Sequence, residues 1–216
     1  MIQIALDNIG KRFRYEWIFK GVSQTFQQGE SYAILGPNGS GKSTFMKVLS
    51  GHLSPSMGTI SFTEKDKKVL AVEDIYKHIS YAAPYIDLIE EMTLEEIIGY
   101  YFKFKTLRKG LIIKDLVEIL GFQKSVNKQI RFFSSGMKQR LKLVLAICAD
   151  TPILLLDEPT TNLDAQGVAW YQQLISENTT HFAQNTEGPS RLVIVASNIE
   201  HDYNFCSKQL NILDYK

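Results

Sequence analysis

The chain has 216 residues, 44% of them hydrophobic and 22% charged, with a net charge of +1. This is enough for one domain, or a core with a small subdomain, at the composition of an ordinary soluble globular protein. A charge so near zero supplies no global field toward nucleic acid or anionic lipid, and no run approaches the roughly 18 consecutive apolar residues of a membrane-spanning helix.

Along the chain, residues 2–6 and 23–26 alternate apolar and polar, the period of half-buried strands. The first of these then turns basic, the reverse of a signal peptide, so the chain is expected to be soluble and cytoplasmic on its own. A short apolar run at 30–35 stops at Gly36 and is followed by glycine-rich sequence. A helical pattern at 44–50 then places Phe45, Val48 and Leu49 on one face. A turn at 54–58 leads to a strand at 59–62, and the charged stretch 64–68 reads as a solvated hairpin tip. Thr93 and Glu96 fit a reciprocal cap at a helix start. A second helix at 114–120 is stopped by Gly121, and a third spans 135–149. Strands at 153–156 and 191–196 flank a helix at 165–176, and 178–190 reads as a surface loop. Strands on both sides of a helical middle imply an α/β core interrupted by helices at roughly 86–150. Cys148 and Cys206 stand far apart and read as reduced cytosolic thiols, too few for a metal site. Lys103, Lys105, Arg108 and Lys109 read as a solvated helix face.

Two motifs carry chemistry. Gly36-Pro37-Asn38-Gly39-Ser40-Gly41-Lys42-Ser43-Thr44 matches the phosphate-binding loop pattern and lies between a strand and a helix. Glycines 36, 39 and 41 let the backbone curl until successive N–H groups converge on phosphate oxygens, and the following helix adds the positive end of its dipole. Lys42 brings a point charge to β- and γ-phosphates, and the Ser43 hydroxyl is placed for Mg²⁺. The second motif, Ile153-Leu154-Leu155-Leu156-Asp157-Glu158-Pro159, is a buried strand ending in two carboxylates. In open α/β sheets, ligands bind at such strand ends. There Asp157 can hold the Mg²⁺ shell and Glu158 can act as a general base toward water.

A third segment, Phe133-Ser134-Ser135-Gly136-Met137-Lys138-Gln139-Arg140, resembles the signature of ATP-binding cassette (ABC) proteins, usually written LSGGQ. Ser135 and Met137 depart from it, while Ser134 and Gly136 remain. Thr161-Asn162-Leu163-Asp164 is similar to that family's D-loop. The resemblance covers essentially the whole chain. It implies an α/β P-loop NTPase core of ABC type with an antiparallel β-subdomain and an inserted helical subdomain. The core would comprise 1–85 and 151–216, and the helical subdomain 86–150. It further implies ATP and Mg²⁺ as ligands, with Ser134 and Gly136 closing on ATP held by a second ATP-binding subunit. An adenine-stacking aromatic is expected upstream of the phosphate loop, with Phe13 the best fit and Tyr15 and Trp17 as rivals.

By the same resemblance the partner is a separate transmembrane permease on the cytoplasmic face of a membrane, no nucleic acid is expected, and the ending Met137-Lys138-Gln139-Arg140 leans toward export. Two rival readings remain: a soluble ABC ATPase working on nucleic acid or ribosomes, and a hydrolysis-impaired ATP sensor. The second is raised by two departures. Tyr81-Ala82-Ala83-Pro84 ends in proline where the family has glutamine, and Asn198 stands where the family has its switch histidine, with His201 three residues on. Asn198 is nonetheless expected to hydrogen-bond the γ-phosphate.

Overall fold

A computed structural model describes residues 2–64, 69–178 and 191–216. The expected hairpin tip at 64–68 and surface loop at 178–190 fall almost wholly outside these residues. In chain order the main elements are β1 (Gln3–Phe13), β2 (Glu16–Gln27), β3 (Ser31–Leu35), α1 (Lys42–Leu49), β4 (Met57–Thr63), α2 (Ile75–His78) and β5 (Ile79–Ala82). They continue with α3 (Leu94–Tyr101), α4 (Ile113–Leu120), α5 (Ser135–Ile147), β6 (Ile153–Asp157), α6 (Ala165–Asn178), β7 (Leu192–Ala196), α7 (Glu200–Tyr203) and β8 (Lys208–Asn211).

Strand β6 is buried at all five positions, which requires that both faces of its sheet be covered. It lies in a parallel sheet of order β5-β6-β7-β3-β8. Side chains alternate across a strand, so Ile153 and Leu155 join one core and Leu154 and Leu156 another. The first core contains Phe45, Met46 and Leu49 of α1 with Ile4, Phe19 and Phe26 from the hairpin. The second contains Leu94 and Ile98 of α3, Leu116 and Leu120 of α4, Leu141 and Val144 of α5, and Tyr171 of α6.

A separate antiparallel sheet of order β2-β1-β4 flanks the first core. Strand β1 runs well past the expected end at residue 6 because its pairing with β2 shifts between Leu6 and Ile9. Asn8 there has φ 51°, and the buried residues change parity from Ile4 and Leu6 to Ile9, as a bulge dictates. Gly58 of β4 passes so close that a Cβ would meet the Asn8 carbonyl oxygen at 2.3 Å.

The capping reading of Thr93 holds atom for atom. Its N–H donates to Glu96 Oε2 at 2.8 Å, and Thr93 Oγ1 accepts from the Glu96 N–H at 3.3 Å. Gly121 ends α4 in the left-handed region at φ 72°.

Two expectations need correction. Residues 103–109 form no helix, and the basic cluster is only partly solvated. Lys105 Nζ donates to the Ile79 carbonyl at 2.7 Å and also to that of Tyr76, while Arg108 reaches the Asn178 carbonyl. Burial pulls the Lys105 ammonium down to about 8. Arg191, expected to open a strand, turns into the interior instead. It donates to the carbonyls of Thr151 and Ile147 and to Ser80 Oγ, each at 2.8 Å. These bonds tie the N-terminal ends of β5, β6 and β7 to the end of α5. Burial pulls its guanidinium down to about 9.

Candidate functional site

All five strands of the parallel sheet run the same way, so the carboxyl ends of β3, β6 and β7 share one edge. The phosphate loop leaves β3 there. Gly36, Gly39 and Gly41 have φ 148°, 79° and 103°, all in the region that favours glycine. Space confirms two of them: a Cβ at Gly36 would lie 2.6 Å from Ser40 Oγ, and one at Gly41 would lie 2.5 Å from Ile18 Cγ2. Gly39 has open space before it and is needed for its backbone angle alone. Asn38 and Gly39 are exposed at the crest, whereas Ser40 and Lys42 are buried. Lys42, 4% exposed as a residue, folds its ammonium back over the loop to the carbonyls of Gly36 at 2.7 Å and Pro37 at 3.2 Å. Ser43 and Thr44 follow in the first turn of α1, both half-buried.

Across from Lys42 lies Asp157 at the end of β6, fully buried. Burial pushes its carboxyl up, while the hydroxyls of Ser43 and Tyr85 and the Lys42 ammonium pull it back. Buried side-chain oxygens without a partner among the described residues are two, Ser40 Oγ and Asp157 Oδ1. Native proteins rarely leave such atoms unpaired. A hydroxyl in the loop and a carboxylate oxygen beside Ser43 are the donor set expected around a phosphate and a hard divalent cation, so the residues present fit both.

Glu158 follows with φ 45°, a left-handed angle that costs a non-glycine residue about 1 kcal/mol or more. The turn is pinned: its N–H donates to the Ala196 carbonyl at 2.8 Å, and its Oε2 accepts from Thr161 Oγ1 at 3.3 Å. Beyond it Thr160 Oγ1 donates to Asp202 Oδ1 at 2.6 Å, and Ser197 Oγ donates to Asp202 Oδ2 at 2.5 Å. The buried Asp202 thus ties the loop after β6 to the segment after β7. Nothing in the pattern near residue 202 announces this.

Ser197 N–H bonds the Ile34 carbonyl at 3.3 Å, so exposed Asn198 leaves the sheet at the same edge as the phosphate loop. His201 meets the turn after β6 instead, its Nε2 lying 3.2 Å from Thr160 Oγ1 and 3.6 Å from Asp202 Oδ1.

Ser134 caps α5, accepting from the Met137 N–H at 3.2 Å. A Cβ on Gly136 would come within 2.9 Å of the Asn162 carbonyl, so the signature segment and the D-loop touch within one chain. They share a concavity lined by Ser134, Gly136, Arg140, Asn162 and Asp164, to which no phosphate-loop residue contributes. The link to the turn after β6 is Gln139, whose Nε2 donates to the Pro159 carbonyl at 2.8 Å.

The three candidate aromatics sit differently in the hairpin. Phe13 pairs with Glu16, which shares its face with Ile18, the residue packed at Gly41. Trp17 alternates to the opposite face, packs at Gly10 and is flanked by Arg12 and Lys20. Tyr15, at the turn, is 96% exposed.

Tyr85, like Asp202, escaped sequence reading entirely. Tyr85, after Pro84, sends its hydroxyl to Asp157 Oδ2 at 2.9 Å and shares a second hydrogen bond with the Tyr81 hydroxyl. An aromatic at 85 is visible in the sequence, but not the turn that brings it to β6.

A parallel sheet with a glycine-rich phosphate loop, an Asp-Glu strand end and a serine-capped signature helix defines a phosphate-loop cassette. The sequence pattern of the ABC transporter family matches residues 19–161, and the chain belongs to that family. It is 33% identical over 196 residues to the Nod factor export ATP-binding protein I of Burkholderia lata, covering 85% of this chain and 64% of that protein. It is 29% identical over 214 residues to the uncharacterized ABC transporter ATP-binding protein YxlF of Bacillus subtilis, covering 97% and 67%. The chain therefore spans just under two thirds of the Burkholderia protein. In fold it is similar to the ATP-binding cassette MJ0796, solved as a dimer in a post-hydrolysis state bound to ADP and Pi, with TM-score 0.79, 21% identity and coverage of 97% and 94%. A putative ABC transporter ATP-binding protein from Pyrococcus furiosus gives TM-score 0.77 at 18% identity, with 99% of each chain covered. No helix among the described residues is long and apolar enough to cross a membrane.

Proposed function

We propose that this chain is the ATP-binding and ATP-hydrolysing subunit of an ABC transporter, acting on a separate membrane permease by ATP-dependent closure of two cassettes. The observation that carries the reading is the buried Asp157 Oδ1, without a hydrogen-bond partner among the described residues, opposite a phosphate loop whose Ser40 Oγ likewise has none among them. The printed names of the relatives, ATP-binding proteins of export and other ABC systems, support it.

The loop backbone from Gly36 to Thr44, with Asn38 at its crest, wraps the β- and γ-phosphates, and Lys42 turns from the loop carbonyls to phosphate oxygen. Phe13 stacks on adenine. Ser43 and Asp157 hold Mg²⁺, which when bound neutralises charge developing on the phosphates. Glu158 takes the proton from a water whose oxygen forms the new bond to the γ-phosphorus as the bond to ADP breaks. Ser134 and Gly136, remote from their own loop, close on ATP held by the partner cassette, and dimer closure is the two-state element that moves the permease. The division into a core of 1–85 and 151–216 and a helical part of 86–150, and a position on the cytoplasmic face of a membrane, belong to the same proposal.

Pro84 and Asn198 favour one rival, a chain that binds ATP without turning it over. The test is phosphate release from Mg-ATP by the purified chain between pH 6 and 8. We expect turnover in the wild type. A hydrogen bond from the Asn198 amide to a charged phosphate is worth about 1.5–3 kcal/mol, so Asn198→Ala slows turnover roughly 10- to 100-fold. An amide does not change charge near neutral pH as an imidazole does, so the loss is the same across the range. His201→Ala, which removes the Nε2 contacts with Thr160 at 3.2 Å and Asp202 at 3.6 Å but no bond to phosphate, stays within about tenfold of wild type. Bound ATP without release would favour the sensor. A dead His201→Ala beside a normal Asn198→Ala would move the switch to His201.

A further inference from the structure

We infer that Tyr85 is a positioning residue for the divalent cation, its phenol clamping one oxygen of Asp157 so that the other is presented to the metal. The inference rests on the ATPase reading above. Asp157 Oδ2 accepts from the Tyr85 hydroxyl at 2.9 Å, whereas Oδ1 is buried and accepts from nothing among the described residues. A carboxylate bonded at one oxygen no longer swings freely about its terminal torsion, and the free oxygen is then offered in one orientation. A phenol has a single proton. Since Tyr85 gives its proton to Asp157, Tyr81 must be the donor in the bond between the two phenols, and the pair forms a directed relay ending on the carboxylate.

Three elements converge to hold that one hydroxyl. Lys47 of α1 sits over the Tyr85 ring, its Nζ 4.0 Å from the centroid. Tyr81 is the third residue of β5, paired with Leu155 of β6. The preceding Pro84 has its φ fixed by the ring, and its carbonyl accepts from Lys142 of α5 at 2.7 Å. Proline offers no side chain that could ligate or orient a metal; in this segment it is the Tyr85 hydroxyl that reaches Asp157. Tyr85 itself is 39% exposed, and replacing it by phenylalanine removes one oxygen while keeping the ring contacts with Lys47.

Partners of metal ligands typically matter 10- to 100-fold in metal affinity. Titration calorimetry of ATP into wild type and Tyr85→Phe, once in EDTA and then over a series of Mg²⁺ concentrations, separates metal from nucleotide. We expect Tyr85→Phe to need roughly 10- to 100-fold more Mg²⁺ for its half-maximal effect on ATP affinity, with metal-free ATP binding and melting temperature unchanged. Tyr81→Phe, which leaves the Asp157 bond in place, should shift the Mg²⁺ requirement less. An unaltered Mg²⁺ requirement in Tyr85→Phe would overturn the inference and leave the ATPase reading standing. An equal loss of metal-free binding would also overturn it, showing a general disturbance of the loop. A wild type that binds no ATP under either condition would overturn both.

Discussion

Glu158→Gln is expected to lower steady-state ATP turnover by about 10²- to 10⁴-fold, the usual contribution of a general base, while ATP still binds. The backbone carries this expectation as much as the carboxylate. Residue 158 sits at φ 45°, and a non-glycine residue stays there only when its surroundings hold it. Here they are the N–H bond to Ala196 and the Thr161 hydroxyl on Oε2. Gln139 holds the neighbouring Pro159 carbonyl, and Asp202 holds the hydroxyl of Thr160. Glutamine has the same length and an amide oxygen that still accepts from Thr161, so the turn survives and only the proton acceptor is lost. Phosphate release and retained radiolabelled ATP, measured on the same preparation, read the two effects separately. Turnover within about twofold of wild type would remove Glu158 from the chemistry and leave its strained turn unexplained.

Lys42→Ala is expected to weaken ATP binding by about 10- to 100-fold, the loss of one strong charge-assisted interaction, and to take turnover below detection. The ammonium is hydrogen-bonded to two carbonyls of its own loop, those of Gly36 and Pro37, and lies near the Asp157 carboxylate; among the described residues it donates to no residue of either core. Its removal therefore costs the fold little, and the melting temperature should stay close to wild type. Nucleotide specificity offers an internal control, because the proposed adenine contact at Phe13 is untouched by the substitution: adenosine affinity should be equal in the two proteins. Equal ATP affinity in the mutant would mean that phosphate is bound somewhere else.

The phosphate loop was legible because its geometry is dictated by residue type: the positive φ angles at 36, 39 and 41 demand glycine, so the backbone shape is written in the sequence. The same holds for the Thr93–Glu96 cap and for Gly121, where a local hydrogen bond or a left-handed angle selects the side chain. Strand β6 was legible as an unbroken apolar run, since both faces of its sheet are covered. Elements set by tertiary contact were not. Strand β5 is four residues long and gains its identity only by pairing with β6. Strand β1 hides behind its bulge at Asn8, which reverses the alternation that reading depends on. Lys105 and Arg108 have the composition of a solvated face, yet each is used to satisfy carbonyls distant in sequence. In the site, the residues of the two motifs assembled at one sheet edge as their spacing required. Tyr85, Gln139 and Asp202 act through neighbours 20 to 72 positions away, a relation no local pattern contains.

The central claim is that the loop at 36–44 and Asp157 form one nucleotide site, and titration calorimetry of ATP into the wild-type chain tests it most directly. The account predicts saturable binding at one site per chain, strengthened by Mg²⁺ and competed by ADP. Heats no different from dilution in both the presence and absence of Mg²⁺, from a folded protein at concentrations of about 100 μM, above the upper end of common micromolar affinities, would contradict it.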